Sequence, residues 1–535
     1  MIPAHVPLAV REAERTPVAS AAAEGEPDRY MLRAARAVAD SVRVRLRQGE
    51  EVLALVGGGD NGGDALYAAA MLADEGVAVR AVLVSDHPHA HALEAATRAG
   101  VEVETLPLWS SLQAPGEGDL LCLPASMRDR DLLDAPVWID GVLGTGASSP
   151  IRRPLATVIE FLAEQAKRRR PFVVAVDMPS GLWHPDGEVE GPVLPADHVV
   201  TMVAAKTPLL LPPACHLVGS VEVADIGIPA PTAAVCGMLE AADVAGTHLV
   251  PGVHDHKYTR GVVSAAVGSR SYPGAGVLAV RGALGAGPGM VRLLADPRVE
   301  ALVVSRHPAV VTVPGRFQAG VVGPGMDEES RARAEALAGQ CLRKALPLVV
   351  DAEALGLVDS LHRAHGSLAQ VILTPHAGEA AVLLSALRRD EGVTRTWVEA
   401  HPVAAGRLLA EASGAVVVLK GARTVVVAPD GRICVAPTGI GWAGVAGAGD
   451  VLAGVLATLA AAARVRAEAA TSPGGRVTVD MLEVAARGVW IHAEAARAAS
   501  LRLGAVGGPI LPDDIAEAVP GVIGAALEQA RPCRR

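Results

Sequence analysis

The chain has 535 residues, more than one compact core accommodates, so at least two domains are expected. Half of its residues are hydrophobic and one fifth are charged, which excludes a disordered chain. Aromatics make up 2 % and the formal net charge is -10, which argues against a broad nucleic-acid surface but leaves room for a local basic pocket.

In chain order, "VREAER" reads as a helix followed by a polar loop. Short β-branched runs then alternate with Ala-rich helical stretches: "EVLALVGGGD", "VAVRAVLVS", "APVWIDGVLG" and "PFVVAVDMPSG" read as buried parallel strands. This is the βαβ rhythm of an open parallel sheet. "VGGGDNGGDALYAA" follows the first strand and opens a helix. Its glycines let backbone N–H groups approach an anion, and Asn61 and Asp64 add side-chain oxygens. "WIDGVLGTGASSP" and "VAVDMPSGL" put Asp140, Asp177 and Ser180 at two further strand ends. Taken singly, each turn reads as a plain βα connection and each Asp as a cap. Three polar strand ends on one sheet edge favour a ligand site.

"GGGDNGGDALYAA", "DGVLGTG" and "DMPSGL", with "ADHVVTMVAAKTPLL" and "VEVADIGIP", resemble the N-terminal YjeF domain, the NAD(P)H-hydrate epimerase family. The resemblance covers nearly all of residues 1–230 and implies a Rossmann-like sheet. It also implies interconversion of the R and S forms of hydrated NAD(P)H, with a bound potassium ion. It carries Asn61, Asp140 and Ser180 to the ion. Asp60, Asn61, Gly62, Gly63, Asp64, Gly144, Thr145, Gly146 and Asp177 go to the substrate, with Asp140 and Asp177 as catalytic residues. Asp60 and Ala65 stand where the family usually reads Asn and Gly.

A Pro- and Gly-punctuated stretch marks a boundary near residues 230 to 250, giving expected domains at 1–235 and 245–530. A second α/β series begins at "GVVSAAVGS" and continues through "ALVVSR", "AGVVGPG", "LPLVVDAEAL", "QVILTPHAGE" and "AVVVLKG", all read as strands. "VVVLKGARTVVVAPDG" reads as a hairpin with Lys420 at a strand end. "LTPHAGE" leaves His376 and Glu379 in a loop, with Glu379 a candidate for acting through water on magnesium. "GVAGAGDVLAGVLATLAAAAR" delivers Asp450 to the start of a long apolar helix behind Gly447 and Gly449. An Asp there is either a helix cap or a base that takes a proton while the bare turn and helix N-terminus hold a migrating phosphoryl group. "RVRAEAATSPGGRVT" reads as a surface loop between the last helices.

"HDHKYTRG", "SYPGAGVLA", "VGPGM", "VVDAEAL", "TPHAGE", "VLKGARTVV" and "GAGDVLAGVLA" together resemble the C-terminal YjeF domain, the ADP- or ATP-dependent NAD(P)H-hydrate dehydratase family, over about residues 245 to 525. The resemblance implies a ribokinase-like fold, phosphorylation of the hydrate's hydroxyl, and loss of phosphate as the ring double bond returns. It carries Ala275, Gly325, His376 and Asp450 to the substrate, with Asp450 catalytic. Lys420, Gly421, Ala422, Arg423, Thr424 and Gly449 go to the nucleotide. ADP, with ATP as the other donor, Mg2+ and K+ are the implied cofactors, and a homo-oligomer the implied assembly. The chain is thus expected to be an α/β bifunctional repair enzyme. The alternative is a ribokinase-like small-molecule kinase with a non-catalytic N-terminal binding module.

Six cysteines, Cys122, Cys215, Cys236, Cys341, Cys434 and Cys533, lack CxxC spacing, the pattern of reduced thiols in a cytoplasmic protein without a zinc knuckle. No signal pattern opens the chain. The longest apolar run, Val451 to Ala463, falls short of the roughly 18 residues of a membrane span, so neither membrane nor nucleic acid is an expected partner.

Overall fold

The computed structural model describes residues 1–105, 132–245, 250–389, 392–472, 475 and 477–529. Cys122, Cys533 and part of the 464–478 stretch lie outside the described residues. Among the described residues, Cys215, Cys236, Cys341 and Cys434 form no disulfide. The chain divides into two compact units, Pro3–Val235 and Cys236–Arg535 with Met1–Ile2.

The first unit carries β1 (Ile2–His5), β2 (Glu51–Val56), β3 (Ala78–Leu83), β4 (Glu102–Thr105), β5 (Val137–Gly141), β6 (Phe172–Val176), β7 (Ala196–Met202), β8 (Ala205–Lys206) and β9 (Val218–Ala224). Seven of these form one sheet in the order β4-β3-β2-β5-β6-β7-β9, every pair parallel. Strand period sorts the cores. Val52, Ala54 and Val56 pack with Ala35, Val38 and Leu66 on one face, while Leu53 and Leu55 pack with Val158, Ile159 and Leu162 on the other. The chain leaves β2 toward β3 and β4 and returns to β5 on the other side of β2. Parallel sheets open a crevice at the carboxyl ends of the strands at such a reversal. The first segment differs from the polar loop expected after "VREAER": helices Pro7–Ala23 and Arg29–Arg43 follow one another with a short turn between.

The second unit adds β10 (Cys236–Met238), β11 (Val262–Ala266), β12 (Met290–Leu293), β13 (Ala319–Val322), β14 (Leu348–Val350), β15 (Val371–Leu373), β16 (Val416–Leu419), β17 (Val425–Val427) and β18 (Ile433–Val435). Its described strands run β12-β11-β13-β14-β15-β16-β17-β18-β10. β11 to β16 are parallel, and β16, β17 and β18 turn back on one another as antiparallel hairpins. "ALVVSR" is not a strand. It ends the helix Pro297–Arg306, which Asp296 caps through its side chain with Pro297 in the first turn. That cap and proline outweigh the β-branched pair Val303–Val304. The strand in that interval is β12 instead.

The long helix spans Ala448–Ala470, so "RVRAEAA" is its last two turns rather than a loop. It has the length and composition of a membrane span, with mean hydropathy 1.5 over its best 18-residue window, and 72 % of that window is buried in the unit. It is a core helix. Gly454 meets the backbone of Ala279, and Gly282 on the helix Pro273–Gly285 meets the backbone of Val451. Two missing side chains thus let the helices touch main chain to main chain.

Candidate active sites

In the first unit the loops after β2, β5 and β6 converge at the reversal. Asp60 is exposed at the first position of the helix Asp60–Asp74, and Asn61, Gly62, Gly63 and Asp64 complete its first turn. Asn61 donates from Nδ2 to the Val176 carbonyl at 2.6 Å, and its amide lies where a side chain at Gly144 would stand. Asp140 is fully buried and accepts from Ser180 Oγ at 2.5 Å and Ser180 N at 2.8 Å. Ser180 Oγ accepts in turn from the Leu143 N–H at 2.9 Å. Burial pushes the Asp140 carboxyl up to about 6, against the hydrogen bonds from Ser180. Thr145 N donates to Asp177 Oδ2 at 3.1 Å, and Gly146 sits at the exposed end of that loop. Ala65 is fully buried, and its methyl lies against the bare α-carbon of Gly141.

Asp177 has a left-handed backbone, φ 67°, and sits beside a group the sequence reading passed over. Lys206 is fully buried. Its ammonium contacts Asp177 Oδ1 and donates to Thr201 Oγ1 at 2.9 Å and the Met202 carbonyl at 2.8 Å. Burial alone would raise the Asp177 carboxyl. The Lys206 charge and the bonds from Lys206 and Thr145 outweigh it and hold the group below the usual carboxylate range. Asp64, also buried, is driven well above that range by burial and then by the charges of Asp177, Asp60 and Glu14. Glu14, on the first helix, is pushed up to about 7 by burial, with Lys206 pulling down and Asp177 pushing up. Glu14 has no sequence signal beyond a charge in an amphipathic run, and Lys206 stands in the stretch "ADHVVTMVAAKTPLL" with nothing there to name its partner.

Among the described residues no group of three or more His, Cys, Asp or Glu side chains is arranged for a metal ion. The Asn61, Asp140 and Ser180 set is different in kind: it offers side-chain oxygens, with one fully buried carboxylate that makes no ion pair among the described residues. Such donors fit a hard cation.

In the second unit the site forms at the carboxyl ends of β11, β13, β14, β15 and β16. Ala275 and Gly325 meet: a side chain at Gly325 would stand 2.6 Å from the Ala275 methyl. Asp351, 2 % exposed, follows β14 and accepts from Thr374 Oγ1 at 2.6 Å and Lys420 Nζ at 2.8 Å. Lys420 N donates to the Pro375 carbonyl at 2.8 Å, joining the end of β16 to that of β15. His376 caps the helix Ala377–Arg388, its Nδ1 accepting from Gly378 N at 3.0 Å and Glu379 N at 3.2 Å. The ring proton is therefore on Nε2, which remains a donor. Glu379 accepts from His376 N at 2.7 Å and lies 3.8 Å from Lys420 Nζ. A carboxylate here, 25 % exposed beside the lysine, fits a magnesium ion held through water.

Gly447, φ 95°, is the N-cap of the 448–470 helix, a backbone that glycine adopts without strain. Asp450 is therefore the third residue of the helix, in its first turn, and is not the N-cap. Burial and then the charge of Asp351 push its carboxyl up to about 7, while Lys420 pulls it down. The half-buried His492, whose imidazole is pushed down to about 4 by desolvation, donates from Nε2 to the Ala448 carbonyl at 2.9 Å and pins the turn from below. Of the loop after β16, Ala422 O and Thr424 O accept from Gly439 N and Ala436 N, each at 3.0 Å. The Arg423 guanidinium turns inward to Thr438. The groups that Gly421 to Thr424 present outward are thus mainly backbone.

Two family models match the chain. "YjeF-related protein N-terminus" covers residues 27–208, and "NAD(P)H-hydrate dehydratase" covers 263–520. The bifunctional NAD(P)H-hydrate repair enzyme Nnr of Mycobacterium leprae is 37 % identical over 480 residues, 86 % of this chain and 90 % of that protein. The chain belongs to the bifunctional NAD(P)H-hydrate repair enzyme family. Its Mycobacterium tuberculosis relative is 39 % identical over 429 residues, covering 79 % of this chain and 81 % of that one. The Pyrobaculum aerophilum relative is 31 % identical over 517 residues, 92 % and 93 % of the two chains. A solved structure of a Bacillus subtilis ADP/ATP-dependent NAD(P)H-hydrate dehydratase is 24 % identical, with TM-score 0.43, covering 54 % of this chain and 97 % of that one.

Proposed function

We propose that the protein repairs hydrated NADH and NADPH, the first unit interconverting the R and S epimers and the second dehydrating the S epimer with ADP. What carries this reading is the meeting of Asp450, Asp351 and Lys420 at the amide end of the 448–470 helix, in a chain of this family. Asp450 takes the proton from the hydroxyl on the ring carbon as that oxygen attacks the terminal phosphoryl group of ADP, and AMP leaves. The carbon–oxygen bond then breaks, phosphate departs with the electron pair, the neighbouring carbon loses a proton, and the ring double bond returns. Hydroxide is a poor leaving group, and phosphorylation exchanges it for a good one. A base that titrates near 7 suits this proton transfer at neutral pH. Lys420 and the amides of the Gly447–Gly449 turn bear the migrating charge, and the His376 Nε2 proton orients the hydrate.

Magnesium, when bound near Glu379, neutralises phosphate charge. In the first unit, potassium held by Asn61, Asp140 and Ser180 supplies a fixed positive charge. There Asp177 and Asp140 face the hydrated ring, and Gly62 to Asp64 with Gly144 to Gly146 cradle the rest of the substrate. The reading includes a cytoplasmic homo-oligomer, supported by the family resemblance and by cysteines without CxxC spacing. Membership that spans both units does not favour a kinase with a silent first module.

The test supplies each epimer of hydrated NADH with ADP or ATP and follows the return of reduced nicotinamide. Asp450→Asn lowers turnover of the S epimer roughly 10²–10⁴-fold in a folded protein. Asp140→Asn slows repair of the R epimer alone. No loss of the S epimer with either nucleotide would falsify the reading.

A further inference from the structure

We propose that Asp351 is a positioning residue of the second site, fixing the Lys420 ammonium against the bare turn that precedes Asp450; this rests on the repair reading above. Lysine is a point charge on a four-carbon stem, and where its charge stands is decided by what holds it. Here the holder is fixed on every side. Asp351 N donates to the Val322 carbonyl at 3.1 Å and Thr374 N to the Val350 carbonyl at 3.1 Å, so three strand ends are locked in register. Thr374 Oγ1 and Lys420 Nζ share Asp351 Oδ1 at 2.6 and 2.8 Å. Asp351 Oδ2 lies 3.9 Å, and Lys420 Nζ 3.4 Å, from the point where a side chain on Gly449 would begin. The carboxylate is buried while the lysine is 22 % exposed, so the anion is the fixed partner and the cation the one presented to a ligand. Asp351 is not itself placed as the base, because its Oδ1 is committed to two donors.

The same carboxylate has a second consequence. The charged groups facing Asp450 are Asp351 beyond β14, Glu353 two residues on, and Lys420 beyond β16, with the neutral His492 beneath the turn. Burial raises the Asp450 carboxyl first and Asp351 next. Removing the Asp351 charge therefore moves the acidic limb of dehydration to lower pH.

The experiment uses the full chain. Asp351→Asn keeps the shape and removes the charge. Its expected result is a rise of about tenfold in the Kd for ADP by calorimetry. The acidic limb of kcat/KM should fall by about one pH unit. Lys420→Met raises the Kd similarly, and the double variant binds no worse than Lys420→Met alone, because Asp351 acts through the lysine. If Asp351→Asn does not fold, Thr374→Val removes one of the carboxylate's two holds. Its loss of ADP affinity should likewise vanish in the Lys420→Met background. Unchanged affinity and an unmoved limb, or losses at 351 and 420 that multiply, overturn the proposal. A wild type that binds ADP yet restores no NADH overturns the repair reading and leaves the 351–420 coupling readable in binding. A wild type that binds neither ADP nor ATP overturns both.

Discussion

Lys206 and Asp177 form a buried ion pair that is fully provided with partners: Thr201, the Met202 carbonyl and the Thr145 N–H take the bonds the pair leaves over. A pair of this kind contributes little against an apolar replacement of both, but losing one member leaves a charge buried alone. Lys206→Met is therefore expected to destabilise the first unit by about 3–5 kcal/mol, with Lys206→Met/Asp177→Asn recovering part of the loss. Thermal melts at neutral pH check this, and a single variant that melts with the wild type would refute it. The pH dependence follows from the depressed Asp177 carboxyl. Its contribution is complete above the ordinary carboxylate range and is lost as pH falls through its lower folded value. Asp450 has the opposite sign: its raised group favours the folded state protonated, so its ionisation weakens the second unit as pH rises toward about 7.

At the scale of elements, the second site depends on two helices that approach through Gly282 and Gly454. One helix begins at Pro273 and carries Ala275, and the other carries Asp450 one turn before Gly454. Gly454→Val would drive a side chain into the backbone of Ala279 and Ala283, which has no rotamer by which to yield. The expected cost is roughly 1–3 kcal/mol of overpacking, read as a lower urea midpoint with unchanged slope. Dehydration should fall while R-to-S conversion persists; a variant with full dehydratase activity would show that the crossing does not position Asp450. The strands were legible because β-branched runs ending in Gly or Asp have few other uses, and the glycine turns because an anion site needs bare backbone. The "ALVVSR" run resembles a strand by its four apolar or β-branched letters, but the Asp296–Pro297 start ahead of them makes it the end of a helix. Lys206, Glu14 and His492 were illegible for another reason. A charge in a helix or an apolar run declares its partner only when β6, β7 and the first helix, or the last long helix and the 447–449 turn, are brought together in space.

At the scale of the whole molecule, each unit has its own core and its own convergence of strand ends. The side chains named here for each candidate site belong to that site's own unit. The chemistry then divides cleanly: hydration yields two epimers, a dehydratase that reads one handedness leaves the other, and an epimerase converts it. If the hydrate passes between sites through solvent, one chain's defect can be supplied by another's competence. Mixing Asp140→Asn chains with Asp450→Asn chains should then restore repair of the R epimer, although each preparation alone falls short. The first retains dehydration and waits on spontaneous epimerisation, while the second retains epimerisation and accumulates both hydrates. The restored rate should rise with the concentration of either variant while the other is held fixed, as it does for a diffusing intermediate. Covalent linkage adds only local concentration to this scheme. A mixture no faster than the Asp140→Asn chain by itself, with each variant's remaining activity intact, would mean that the hydrate must stay on one chain, and the two sites would have to be treated as a single pathway.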